Sequence, residues 1–145
     1  MKRASLSDAL AGSLGDALGV YAVWRPGERR PLYIGSTEKL GIRRRLLRHK
    51  GDGSTQLRCS KLSEYMRASW PCQGWIVEVR TADEIGAHYC PRSPKAISIR
   101  RAETVLQAAL RPILCDTPDK EAERPPVQRS LWALPVGRVS SVAAP

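Results

Sequence analysis

Two runs of β-forming residues, Val20-Tyr21-Ala22-Val23-Trp24 and Leu32-Tyr33-Ile34, are separated by Arg25-Pro26-Gly27-Glu28-Arg29-Arg30-Pro31. Proline fixes its own φ and has no N–H to donate, and glycine admits positive φ, so neither run continues across that segment. The chain therefore folds back as an antiparallel hairpin. A turn centred on Gly27 predicts Tyr21 directly opposite Tyr33, with both rings on one face of the sheet. Trp75-Ile76-Val77-Glu78-Val79 supplies a third strand. Leu6, Leu10, Leu14 and Leu18, spaced by four, predict an amphipathic helix from Ser5 to Gly19, weakened by Gly12 and Gly15. Further helices are predicted over 38–50, over 56–68 with Leu57, Leu62, Tyr65 and Met66 apolar, and over 96–110, ending near Pro112. Residues 81–95, with Gly86, Pro91 and Pro94, read as a loop. The expected fold is α+β, a small three-stranded antiparallel sheet flanked by helices. Residues 1–18 form a helical extension, 19–116 the domain, and 117–145 a proline-rich extended tail with Trp132 as a docking point.

Charge narrows the partner. The chain carries a net charge of +10. Eighteen of its 24 basic residues are arginine, which suits bidentate phosphate contacts. From Arg25 to Arg67 the local excess is eight positive charges, and their self-repulsion is relieved by a polyanionic partner. No apolar run approaches the ~20 residues of a transmembrane helix. No charged-then-apolar segment near Met1 reads as a secretory signal. A soluble, cytoplasmic protein with no membrane partner is expected. Cys59, Cys72, Cys90 and Cys115 stand singly and are expected to be free thiols, and with two histidines in the chain a zinc site is not expected.

Three groups of residues bear on chemistry. On a helical wheel Glu103 falls inside the apolar stripe of Ile99, Ala102, Leu106, Ala109 and Leu110. A carboxylate there must be paired, for example with Arg100, protonated, or bound to a metal. Arg45 and His49 are one helical turn apart, at the edge of the face made by Ile42, Leu46 and Leu47, with Arg43 nearer its middle. The tyrosines of the hairpin, taken alone, serve packing as readily as chemistry.

Together these pieces resemble the GIY-YIG nucleases. Gly19-Val20-Tyr21 followed by Leu32-Tyr33-Ile34-Gly35-Ser36-Thr37 is similar to the two strands of that signature. Ile42-Arg43-Arg44-Arg45-Leu46-Leu47-Arg48-His49 looks like the family's R-L-x-x-H segment. Ala102-Glu103-Thr104-Val105-Leu106, with Leu110 and Pro112, resembles its glutamate helix. The likeness spans roughly 19–116 and implies hydrolysis of DNA phosphodiesters with one Mg²⁺ or Mn²⁺ held by Glu103. It implies that Tyr21 positions or deprotonates the attacking water, with an arginine-rich surrounding lowering its pKa. Tyr33 would orient a phosphate oxygen or the water network, Arg45 would neutralise charge on the phosphate, and His49 would assist Tyr21 or touch phosphate. Arg43, Arg44, Arg48 and Lys50 would contact the DNA backbone. The chain departs from the pattern in two places. Cys115 stands where the family has asparagine, and the basic helix lies about two residues later than in many members, which leaves Arg43 as the alternative to Arg45.

The size of the chain is expected to leave no room for an added recognition domain, which favours a structure-selective or repair-associated role, or dependence on a partner. The alternative is a nucleic-acid-binding module on the same fold with weak or no catalysis.

Overall fold

The computed structural model describes residues 1–50, 61–93 and 95–114. The elements are β1 (Lys2–Ser5), α1 (Leu6–Ala11), β2 (Gly19–Trp24), β3 (Tyr33–Thr37), α2 (Ile42–Lys50), α3 (Lys61–Ser69), β4 (Ile76–Arg80), α4 (Ala82–Tyr89) and α5 (Ile99–Leu110). The strands form one antiparallel sheet in the order β1-β4-β2-β3. The α+β class is as expected, but the sheet has four strands among the described residues, not three.

The fourth strand comes from the segment read as helical extension. Lys2 to Ser5 pair with Val79 to Ile76. Ser5 does start a helix: its backbone is extended and its side chain accepts from the Asp8 N–H, an N-cap. The helix stops at Gly12, whose φ of 106° is open to glycine and strained for other residues. Leu14 is therefore buried from the following turn, and Leu18 is left exposed rather than continuing a stripe. The predicted 81–95 loop also contains a helix, α4. Thr81 and Glu84 make a reciprocal capping box at its start. Its Gly86 lies where Ile97 packs closely. The basic helix begins at Ile42, not Glu38. The third predicted strand runs Ile76–Arg80, one residue later than read, and α5 is capped by Ser98. Residues 56–60 of one predicted helix, the 117–145 tail with Trp132, and Cys59 and Cys115 lie outside the described residues. No helix among the described residues is long and apolar enough to cross a membrane.

The hairpin closes one residue later than expected, centred on Glu28. Tyr21 faces Gly35, and Tyr33 faces Val23. Moving the centre by one residue shifts each pairing by two, which changes the partner and preserves the face. Tyr21 and Tyr33 thus remain diagonal neighbours on one side of the sheet.

Strand alternation divides the core into two apolar layers. Tyr21, Val23, Val77 and Val79 pack with Leu6 and Ala9 of α1, Ile42 and Leu46 of α2, and Leu62 and Met66 of α3. On the opposite face, Val20, Ala22, Trp24 and Ile34 pack with Ile85 of α4 and Ala102, Leu106 and Leu110 of α5. The result is helix–sheet–helix, with β3 as the edge strand around which α2 and α5 approach from opposite sides. After α5, Ile113 and Leu114 donate backbone hydrogen bonds to Pro31 and Leu32, which ties the end of that helix to the hairpin.

Candidate active site

The edge strand β3 organises the candidate site. On the face covered by α2, the Tyr21 side chain reaches from β2 across Gly35. A Cβ at position 35 would stand 2.6 Å from the Tyr21 hydroxyl and 2.8 Å from Tyr33 Cε1. Glycine is thus required by the close approach of the two rings. His49, from the last turn of α2, lies 1 % exposed, and its Nε2 is 2.7 Å from the Tyr21 hydroxyl. The His49 and Tyr33 rings meet edge to face with centroids 5.4 Å apart, and those of Tyr21 and Tyr33 are 6.0 Å apart.

The other half of the site comes from the opposite face. Glu103 of α5 accepts a hydrogen bond of 3.0 Å from the Ser36 hydroxyl. Its observed partner is therefore Ser36, while Arg100 pairs with Glu38 at 3.8 Å in a largely exposed contact of little energetic weight. Glu103, Ser36, Glu38, Arg100 and Thr104 line an open cleft of about 500 Å³, closed on the α2 side by Arg45. Arg45 is close enough to act electrostatically on both Tyr21 and His49, and its Nε is buried without a hydrogen-bond partner. Arg45 thus links the tyrosine–histidine pair to the carboxylate cleft.

Burial governs the protonation states. It pushes Tyr21 well above its ordinary range; the nearby Tyr33 adds to this, and Arg45 opposes it without prevailing. The expectation that arginines lower this pKa is corrected: a fully buried phenol loses more from desolvation than one guanidinium returns. Burial likewise lowers His49 to about 4, with Arg45 acting in the same direction. Glu103 is raised, first by burial and then by Glu38, against the Ser36 hydrogen bond, Arg45 and Arg100. At neutral pH the pair is a protonated phenol against a neutral imidazole.

That depressed histidine has a consequence for stability. Unfolded, His49 titrates near ~6.5, so as the pH falls the unfolded chain takes up this proton first. Its contribution is intact above ~6.5 and is lost progressively between ~6.5 and about 4, by up to ~3 kcal/mol. Urea midpoints measured at pH 7 and pH 5 are expected to drop for the wild type and to drop less for His49→Gln.

The five residues expected to act together, Tyr21, Tyr33, Arg45, His49 and Glu103, surround one edge strand. The four expected DNA contacts are spread more widely. Arg43 is exposed and turned away, its Nε donating to the Leu10 carbonyl at 3.0 Å; its expected place near the middle of the apolar face is thus corrected. Arg44 is exposed and Arg48 half-buried. Lys50 lies with its ammonium 4.5 Å from the centre of the Trp70 ring. None of these four lines the cleft. Ser36, Glu38 and Thr104 were not singled out from sequence. Ser36 was discoverable, because it follows Gly35 on the strand and so points to the face opposite the tyrosines.

No group of three or more His, Cys, Asp or Glu side chains gathers among the described residues. The carboxylates of Glu103 and Glu38 in one open cleft form a hard oxygen donor set. Such a set fits Mg²⁺ or Mn²⁺, which keep several waters and need one or two carboxylates, and does not fit zinc.

The requirement for Gly35 can be tested directly. Gly35→Ala is expected to displace the Tyr21 hydroxyl from His49 and to lower any turnover by about tenfold or more while leaving nucleic-acid affinity near wild type. Cleavage rate and binding, measured on one preparation, separate the two effects. No protein-family model, no curated protein and no solved structure matches the chain.

Proposed function

We propose that this chain is a metal-dependent DNA endonuclease of the kind its GIY-YIG resemblance implies. The observation that carries the reading is the meeting, across one edge strand, of a buried Tyr21–His49 hydrogen bond, the Arg45 guanidinium and the Glu103 carboxylate. A net charge of +10 supplies attraction to a polyanion.

Glu103 would hold the Mg²⁺ or Mn²⁺, with Glu38 beside it, and the bound ion would polarise the scissile phosphate and stabilise the leaving oxygen. Arg45, preorganised between Tyr21 and the cleft, donates to a non-bridging phosphate oxygen as its charge grows. Tyr21 stays protonated and directs its hydrogen toward the unprotonated Nε2 of His49. Its oxygen then accepts a hydrogen bond from the attacking water and orients it. Of the two roles expected for Tyr21, positioning is the one its buried, protonated state favours. Tyr33 packs against both rings and holds them in place.

A second reading, a DNA-binding module without cleavage, is favoured by Cys115 in the place of the family's asparagine. Nicking of supercoiled plasmid separates the two. With Mg²⁺ the proposed enzyme converts plasmid to nicked and linear forms, and EDTA abolishes this. Binding with no conversion in Mg²⁺ or Mn²⁺ supports the module. Under both readings phosphate contacts dominate affinity. About five of them give a slope of log K against log salt near −4.5, measurable by anisotropy, whereas a slope near zero contradicts both.

A further inference from the structure

The described residues leave two aromatic side chains strongly exposed, Tyr65 at 37 % and Trp70 at 46 %. Both belong to α3 or to the turn directly after it. The inner face of that helix is already filled by Leu62 and Met66, so neither ring is needed there for packing. Each ring carries a cation over its face: Arg25 lies 5.7 Å from the Tyr65 centroid, and the Lys50 ammonium 4.5 Å from that of Trp70. Lys50 directly follows His49 on α2 and stands five residues beyond Arg45. That is ~7.5 Å along the helix axis and about 140° around it, so Lys50 and Trp70 stand outside the cleft that Arg45 lines.

We propose that Trp70, with Lys50 beside its ring, is a stacking platform for an unpaired base, so that the substrate class is nucleic acid with a single-stranded segment. The inference rests on the nucleic-acid reading of the cleft. Exposed aromatics interleaved with cations are what single strands bind, because every base offers a π-face and every phosphate a charge. An intact duplex hides its base faces and gains nothing from Trp70. A protein partner would have to be acidic to tolerate Lys50 and Arg25, and would be indifferent to the bases of a competing strand.

The test is anisotropy in EDTA, in the Glu103→Ala background so that cleavage plays no part. The probes are a short labelled single strand, the same sequence as a duplex, and a single strand whose nucleotides are abasic. Trp70→Ala is expected to weaken single-strand binding about tenfold and to leave duplex binding unchanged. Trp70→Phe, which keeps a ring, should recover most of the loss, and the abasic strand should bind Trp70→Ala and its parent alike. Equal losses on single strand and duplex overturn the platform, as does a Trp70→Phe variant as weak as Trp70→Ala. Salt-dependent binding of both single strand and duplex that Trp70→Ala leaves unchanged overturns this inference and leaves the nucleic-acid reading standing. Absence of binding to all three probes overturns both.

Discussion

Arg45→Ala is expected to slow single-turnover cleavage by about a hundredfold or more, while Arg43→Ala cuts at nearly the wild-type rate. The two arginines are two residues apart on α2 and point to different places. Arg43 donates to the Leu10 carbonyl and closes against α1. Arg45 lines the cleft that holds Glu103 and acts electrostatically on Tyr21 from there. Its Nε is buried without a partner, which leaves a donor that a phosphate oxygen can satisfy. Removing a preorganised donor to a transition-state oxygen costs roughly 2.7–4 kcal/mol. Losing Arg43 removes a surface tie to α1 and costs binding or stability instead. Saturating enzyme separates the two outcomes, because it removes differences in affinity. A dead Arg43→Ala beside an active Arg45→Ala would transfer the role to Arg43 and contradict the geometry.

Sequence is informative where local chemistry decides the conformation. Proline and glycine between two β-rich runs placed the hairpin, and alternation put both tyrosines on one face even though the turn centre was one residue off. Parity survives such an error, because a change in the turn centre moves pairing in steps of two. The helical wheel identified Glu103 as a carboxylate inside an apolar stripe, and it is half-buried against Ser36. Strand β1 was hidden because Lys2 and Arg3 carry no apolar alternation; their strand state is set by backbone pairing to β4, a partner more than seventy residues away. Helix α4 was hidden behind Gly86 and the prolines that follow. Its signal was the Thr81–Glu84 capping box, which outweighs one helical glycine at about 1 kcal/mol.

The protonation of Tyr21 was the least legible feature. Counting nearby arginines predicts a lowered pKa, and the sign reverses once the ring is seen to be fully buried. Sequence records which charges are near in the chain, and desolvation depends on packing from α2 and β3 together. The buried Tyr21–His49 pair is also costly to break. Deleting one partner orphans the other at about 1–3 kcal/mol, so variants at either position need a stability measurement beside any rate.

Glu103 is the residue on which the proposed chemistry depends most, since it would hold the metal and no third metal-ligating side chain gathers with it among the described residues. Its removal is expected to cost more than that of Arg45, and Glu103→Gln keeps the shape and the Ser36 contact while removing the charge. The decisive measurement is single-turnover nicking of plasmid across a Mg²⁺ titration, with wild type, Glu103→Ala and Glu103→Gln at saturating enzyme. A metal-dependent nuclease site predicts saturable Mg²⁺ dependence in the wild type and, in both variants, a loss of about a thousandfold or more that added metal does not restore. Nicking by Glu103→Ala at the wild-type rate, or wild-type nicking that persists in EDTA, would contradict it.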